Sequence, residues 1–529
     1  MTQARTESGA QARVSAVWSA YRRRSGRTVA RTHAYRIYLG LLIGLPYGLA
    51  IGQAATTALW DALQIGGGAV LQGWGLGIVL ALLVTAQLVG RYVGPLIMPP
   101  FVLHVLLSSD LPPRSYLRPL AWRRAVLPVV LVGFPWCAVA LGLGITGGFG
   151  AGWIVSSAAS GLLLGALMAG AWLSGQVLSA RRSALLTLGF AVMGALALAL
   201  APAGAVQLVP AVAFPDAAPL TGSGDAAEAE LWLGLLVQAV LAVALWVGAL
   251  RSMDAPDRRR LVKASARADQ ARIFAGNGSF HDALDVYRAR AGGPRTSLVR
   301  PDGRLAGHLQ LGARRAFRTP GRTLAGLAAL VGGTVLIAVG ASATVLAWVA
   351  GALLVYLGSG WVSDSWRMVR DEFLTEPLYG PAHGGLLGRH FPWTLISVAM
   401  SSGVGILAAG LGMVAFGFAG APWDPAQVLP VVATVLIALP ARFMSEMKSD
   451  LPLSLLTPVG TPFGDFSGVM ILAWQVDSLI LVISAVVLLD LIGPGTGAVI
   501  LVATVLCAGL AVGLSRVGRF PRPRGAHVR

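Results

Sequence analysis

The chain has 529 residues, 55% hydrophobic and 12% charged, with a mean hydropathy of +0.71 and a formal net charge of +18. Soluble domains carry about 25% charged residues, so this composition excludes an ordinary water-soluble fold. The positive charge falls only in certain gaps between apolar runs, which makes it a topology signal and argues against nucleic acid as a partner.

The first 35 residues are polar and Arg-rich and lack the apolar core and small-residue cleavage site of a secretory leader. Within them, Trp18, Tyr21 and Tyr35 stand among arginines. That mixture suits either a helix lying along the inner leaflet or a basic arm.

A spanning helix needs about 20 apolar residues. Twelve runs are candidates: 37–56, 75–97, 125–147, 153–179, 184–202 and 231–250, then 323–340, 343–361, 393–418, 427–441, 467–491 and 496–515. Arginines crowd the N-terminal segment and the gaps after the second, fourth, sixth, eighth and tenth runs, and the tail is basic too. The alternate gaps hold no Lys or Arg, and the longest, 203–230, carries only the acids Asp216, Asp225, Glu228 and Glu230. By the positive-inside rule both termini are expected in the cytoplasm.

The expected architecture is an all-α polytopic membrane protein of about twelve transmembrane helices in two six-helix halves. Its segments are a basic N-terminal stretch 1–36, a first half 37–250, a cytoplasmic linker 251–322, a second half 323–515 and a basic tail 516–529. The linker reads either as a solvated connector or as a docking surface. Its first part suits a short amphipathic helix, with Asn277-Gly278 marking a turn.

No Walker loop, G-x-S-x-G elbow, H-E-x-x-H or C-x-x-C motif occurs. Cys137 and Cys507 are far apart within apolar runs, and the histidines are scattered, with His383 and His390 in one gap. Neither a disulfide nor a metal centre is expected from them. The chain therefore reads as non-enzymatic, without a cofactor of its own.

Ser-Asp-Leu-Pro occurs twice, at 109–112 and 449–452, each time in a Pro-rich gap between apolar runs. A related gap, "SDSWRMVRDEFLTEPLYGPAHGGLLGRHFPW", follows the eighth run. Asp or Ser suits a helix N-cap and Pro its first turn, so each gap is expected to form a short helix on the inner membrane face. Chance recurrence in a Leu-, Pro- and Ser-rich chain is the alternative.

Six-span halves, an Arg-rich N-terminal segment and loops such as "DLPPRSYLRPLAWRRAVLP" and "FLTEPLYGPAHGGLLGRHFPW" resemble the membrane subunits (permeases) of type-2 ATP-binding-cassette exporters. The resemblance implies two fused six-span units in a bacterial cell (inner) membrane, with ATP and Mg bound by a separate ATPase. A second membrane subunit is a further implied partner, besides the lipid bilayer. It assigns ATPase docking to Asp110, Arg114, Arg118, Arg123 and Arg124, and to Arg370, Asp371, Glu372 and Glu376. Asp450 joins them from the third gap, which falls between the fourth and fifth spans of its half and so departs from the family's main coupling loop.

Asp477, in "ILAWQVDSLILV", falls near the middle of the eleventh run. A carboxylate there costs about 2.5–3.5 kcal/mol to insert, so it is expected to face protein or a water-filled cavity. It reads as a pathway residue beside Gln475, or as a carboxyl hydrogen-bonded to a neighbouring helix. Gln87 is a weaker polar candidate, and Asp490 falls close to the outer end of the run.

Two other classes fit the span count. A secondary transporter of the major-facilitator kind also has six spans, a linker and six spans, but "GRYVGPLIMPP" lacks its usual loop pattern. A non-transporting scaffold or a lipid-processing enzyme is the third. The substrate is not legible.

Overall fold

The structure, a computed structural model, describes residues 12–21, 56, 68–147, 151–200, 224–254, 256–276, 283, 286–287, 305–340, 345–373, 383–415, 427–448, 452, 455, 460–461, 464–465 and 467–517. The expected first span 37–56 lies outside them apart from Thr56, as do Glu376, Asp450, the gap 203–223 and the tail beyond 517. The fold is all-α apart from a two-residue antiparallel pair, in which Gly460 faces Asp465 and Thr461 faces Gly464.

Nine helical stretches among the described residues are long and apolar enough to cross a bilayer. They are Pro113–Gly142, Ala151–Val177, Gly234–Asp254, Pro320–Gly340, Val345–Val362, Leu387–Leu411, Val428–Glu446, Val469–Ile492 and Thr496–Val517. Val79–Tyr92 is a shorter apolar stretch. The chain is thus a polytopic helical membrane protein. It divides into two compact units, Met1–Ala275 with Asp282–Tyr287, and Gly276–His281 with Arg288–Arg529.

In the first unit, α1 (Gly68–Tyr92) leads through a turn to the short α2 (Pro100–Ser108). After the corner comes α3 (Pro113–Pro128), which runs through the π-helical turn Val129–Gly133 into α4 (Phe134–Gly147). Pro135 explains the wide turn. It has no N–H to give the carbonyl four residues back, and its ring displaces that carbonyl. Next are α5 (Ala151–Val177), α6 (Ala180–Leu200), α7 (Gly224–Arg251) and, after the 3₁₀ turn Ser252–Asp254, α8 (Arg258–Gly276).

In the second unit, α9 (Leu305–Arg318) is amphipathic and precedes the spanning helices α10 (Pro320–Gly340) and α11 (Val345–Val362). The short α12 (Asp364–Phe373) follows, then α13 (His383–Ala415), α14 (Val428–Glu446), α15 (Ser467–Ile492) and α16 (Thr496–Val517). Gly493, at φ 71°, makes the tight link between the last two.

Three helix pairings recur in the two units. In the first, α1 lies against α5 and α6, and α5 against α7; in the second, α11 lies against α14 and α15, and α14 against α16. In each unit, therefore, the second predicted span meets the fourth and fifth, and the fourth meets the sixth. Lipid offers helices no hydrophobic drive to associate, so close contact depends on small residues and polar links. At the α1–α5 crossing, a Cβ on Gly90 would run into the Trp172 carbonyl and one on Gly175 into that of Gln87.

Candidate functional site

At one end of the first unit, α2, the start of α3, the end of α5 and the start of α8 share a core. Leu103, Leu106, Leu117, Leu173, Met253 and Leu261 are among its buried members, and Val14, Val17, Trp18 and Tyr21 of the helical segment 12–21 pack against it. The Arg-rich N-terminal stretch therefore contributes an amphipathic helix docked on protein. Arg260 ties α8 down, donating to the carbonyls of Leu178 (3.2 Å) and Gly175 (3.1 Å), and Arg258 donates to that of Leu107 (3.4 Å). Burial, with the Arg91 charge beside it, holds the Arg260 guanidinium below its ordinary pKa.

The first Ser-Asp-Leu-Pro is the corner between α2 and α3. Ser109 ends α2, its hydroxyl donating to the Leu106 carbonyl at 2.7 Å. Pro112 occupies the N-cap of α3 and Pro113 its first turn. Asp110 makes no cap, contrary to the expectation for this motif; the rigid φ of the two prolines starts the helix instead. Nor is the helix a separate piece lying on the membrane, since it continues into the spanning segment Pro113–Gly142. Tyr116, Leu117, Ala121 and Ala125 form its buried stripe, and Arg118, Arg123 and Arg124 occupy its exposed face. Asp110 is exposed on the corner, and Arg114 forms an ion pair with Asp254.

In the second unit, the corresponding short helix is α12. Its Trp366 and Val369 are fully buried with Leu387, Phe443 and Met447. The Trp366 ring stacks on Phe391 (4.7 Å between centroids) and meets Phe443 edge-on (5.5 Å). Arg370 donates to Asp371 at 2.7 Å, and Asp371 is exposed. Glu372 falls in the last turn of α12. Arg322 of α10 anchors the start of α12 through Asp364 (2.9 Å) and also donates to the Gly360 carbonyl (3.3 Å).

Asp477 sits at the centre of a cation clamp. Lys448, just past α14, reaches one of its oxygens at 2.5 Å, and Arg516, in the last turn of α16, reaches the other at 2.9 Å. Lys448 also donates to the carbonyls of Trp474 and Gln475 and lies over the Trp474 ring, while Arg516 donates to the Met444 carbonyl at 2.5 Å. The ends of α14 and α16 are thereby tied to the interior of α15. Burial draws the Lys448 ammonium below the ordinary lysine range, with Asp477 opposing the shift. At the next residue, the Ser478 and Tyr356 hydroxyls share a 2.7 Å hydrogen bond. Arg442 pairs with Glu446 and lies over the Tyr356 ring, in space left by Gly360, where any Cβ would strike the guanidinium.

Gln87 is fully buried and acts as a clasp between α1 and α6. It donates to the Ser183 carbonyl at 3.0 Å and accepts from the Thr187 hydroxyl at 3.1 Å. His383 and His390 both lie on α13, and the His390 ring meets that of His308, on α9, edge-on at 4.9 Å.

The partners of Asp477 were not singled out from the sequence, although Lys448 is one of only two lysines in the chain. Its rarity was the available signal. Arg516 carried none beyond its place at the end of the last apolar run.

A scan against protein-family models finds no match, and searches of curated proteins and of solved structures find none either.

Proposed function

We propose that the chain is the membrane permease of an ATP-binding-cassette-type exporter, with two six-span units fused and both termini in the cytoplasm. One observation carries the reading. In each unit, the helix in the place of the second span is followed at once by a short helix, α2 or α12, seated on the end of the bundle beside exposed charged groups. The recurrence of three helix pairings in the two units supports a duplicated permease. On this reading α2, the start of α3, and α12 receive a separate ATPase chain that binds ATP and Mg, and the permease itself catalyses no reaction. Arg118, Arg123, Arg124 and Asp371 are the side chains offered to it, with Asp110 at the corner. The bundle supplies the substrate pathway across the bacterial cell membrane.

A photo-crosslinking amino acid placed at Arg118 or Asp371 in living cells tests the assignment. A chain carrying a Walker loop is expected at both positions, and none at Leu188, an exposed apolar position on α6. Capture of no Walker-bearing chain at either position would overturn the docking role.

A further inference from the structure

Between α2 and the start of α8 lies an open groove of about 540 Å³, lined by His104, Leu107, Ser108, Arg258, Arg259, Val262 and Lys263. Its floor is apolar, formed by Leu107 and Val262, and its rim is basic. Among the described lining residues there is no carboxylate. The two acids just before α8 are already engaged: Asp254 pairs with Arg114, and Asp257 accepts the Arg260 amide at 3.1 Å as a helix cap. Asp110 stands on the corner beyond Ser108 and does not line the groove. Arg258 is held by the Leu107 carbonyl, whereas Arg259 and Lys263 are exposed.

The groove also lies just beyond the ends of two apolar helices. The helix α1 ends at Tyr92, shortly before α2, and α7 ends at Arg251, shortly before α8. Trp122 of α3 stacks on Trp246 of α7 at 4.6 Å, and tryptophans mark the membrane–water boundary. Trp246 lies in the last turns of α7, twelve residues before Arg258 of the groove.

We propose that this groove binds the phosphate of an anionic phospholipid, with Arg259 and Lys263 contacting the phosphate and the apolar floor taking the first part of an acyl chain. Basic pockets beside spanning helices recognise such headgroups through charge, and a free phosphate makes no use of an apolar floor. The site does not depend on the presence of an ATPase.

The test is native mass spectrometry of the full chain in a lipid-free detergent, titrated with dioctanoyl phosphatidylglycerol, dioctanoyl phosphatidylcholine or inorganic phosphate. Saturable binding of phosphatidylglycerol is expected, at least tenfold tighter than phosphatidylcholine and weakening as salt screens the contact. An Arg near an anionic headgroup is worth about 1 kcal/mol, and a Lys the same, so Arg259→Gln with Lys263→Gln should weaken binding about 30-fold. Lys263→Arg should retain it, which separates lost charge from a misfolded variant. Undiminished binding by the double variant, equal affinity for phosphatidylcholine, or insensitivity to salt would overturn the proposal. Displacement of the lipid by inorganic phosphate at equal affinity would overturn its lipid identity.

Discussion

Replacing Asp477 by Asn tests the clamp directly. The change keeps the shape of the side chain and removes its charge, leaving Lys448 and Arg516 beside each other without an anion. Their side chains are 9% and 15% exposed, so neither is freely solvated. Breaking a buried pair by removing one partner costs about 3–5 kcal/mol. The lower end applies here, because Asp477 is itself 28% exposed and both cations keep backbone carbonyl acceptors. A loss of about 3 kcal/mol is expected from thermal or denaturant unfolding in detergent. Asp490→Asn, at an exposed position on the same helix, should change stability by less than about 0.5 kcal/mol. Combining Asp477→Asn with Lys448→Met should recover part of the loss, since the second change removes one stranded cation. Equal, small effects of Asp477→Asn and Asp490→Asn, with no coupling to Lys448, would refute the clamp.

Three further outcomes follow from the packing and the charges. Gly175→Ala drives a methyl into the Gln87 carbonyl at the α1–α5 crossing and should destabilise by about 1–3 kcal/mol, whereas Gly248→Ala, on α7 with open space around it, should be neutral or stabilising by up to about 1 kcal/mol; paired melting curves decide. Gln87→Leu removes both hydrogen bonds from α1 to α6 but leaves the Thr187 hydroxyl donating to the Ser183 carbonyl, so it should cost only about 1 kcal/mol by the same assay. His308 is held below its ordinary pKa, first by burial and then by the Arg389 and Arg315 charges. It is neutral in both folded and unfolded chains well above pH 6.5, and as pH falls through that value the unfolded chain takes the proton first. Stability should therefore drop from pH 7.5 to pH 5.5, and His308→Gln should lessen the drop; an unchanged pH slope in the variant would contradict this.

Hydropathy located the helices well because a bilayer forces every backbone polar group to pair within its own segment. The helices α5, α10, α11 and α16 lie where apolar runs were read. The third helix begins before its apolar run. Arg114, Arg118, Arg123 and Arg124 made 113–124 look like a connection, yet the helix begins at Pro113. Its buried stripe of Tyr116, Leu117, Ala121 and Ala125 is laid down by contacts with α5 and the 3₁₀ turn before α8, and a hydropathy window does not see them. Asp477 stood out as a charge in an apolar run, but its partners lie 29 residues before it and 39 residues after it. Only folding brings the ends of α14 and α16 to the middle of α15. The basic groove was equally hidden, because His104 and Lys263 lie on separate helices far apart in sequence.

The measurement that bears most directly on the permease account is purification of the chain from its native membrane in mild detergent, with mass spectrometry of whatever accompanies it. The account predicts a stoichiometric ATPase carrying a Walker loop, lost when Arg118, Arg123 and Arg124 are all reversed to Glu while the permease stays folded. A chain that purifies alone and moves its substrate on an ion gradient without ATP would contradict it.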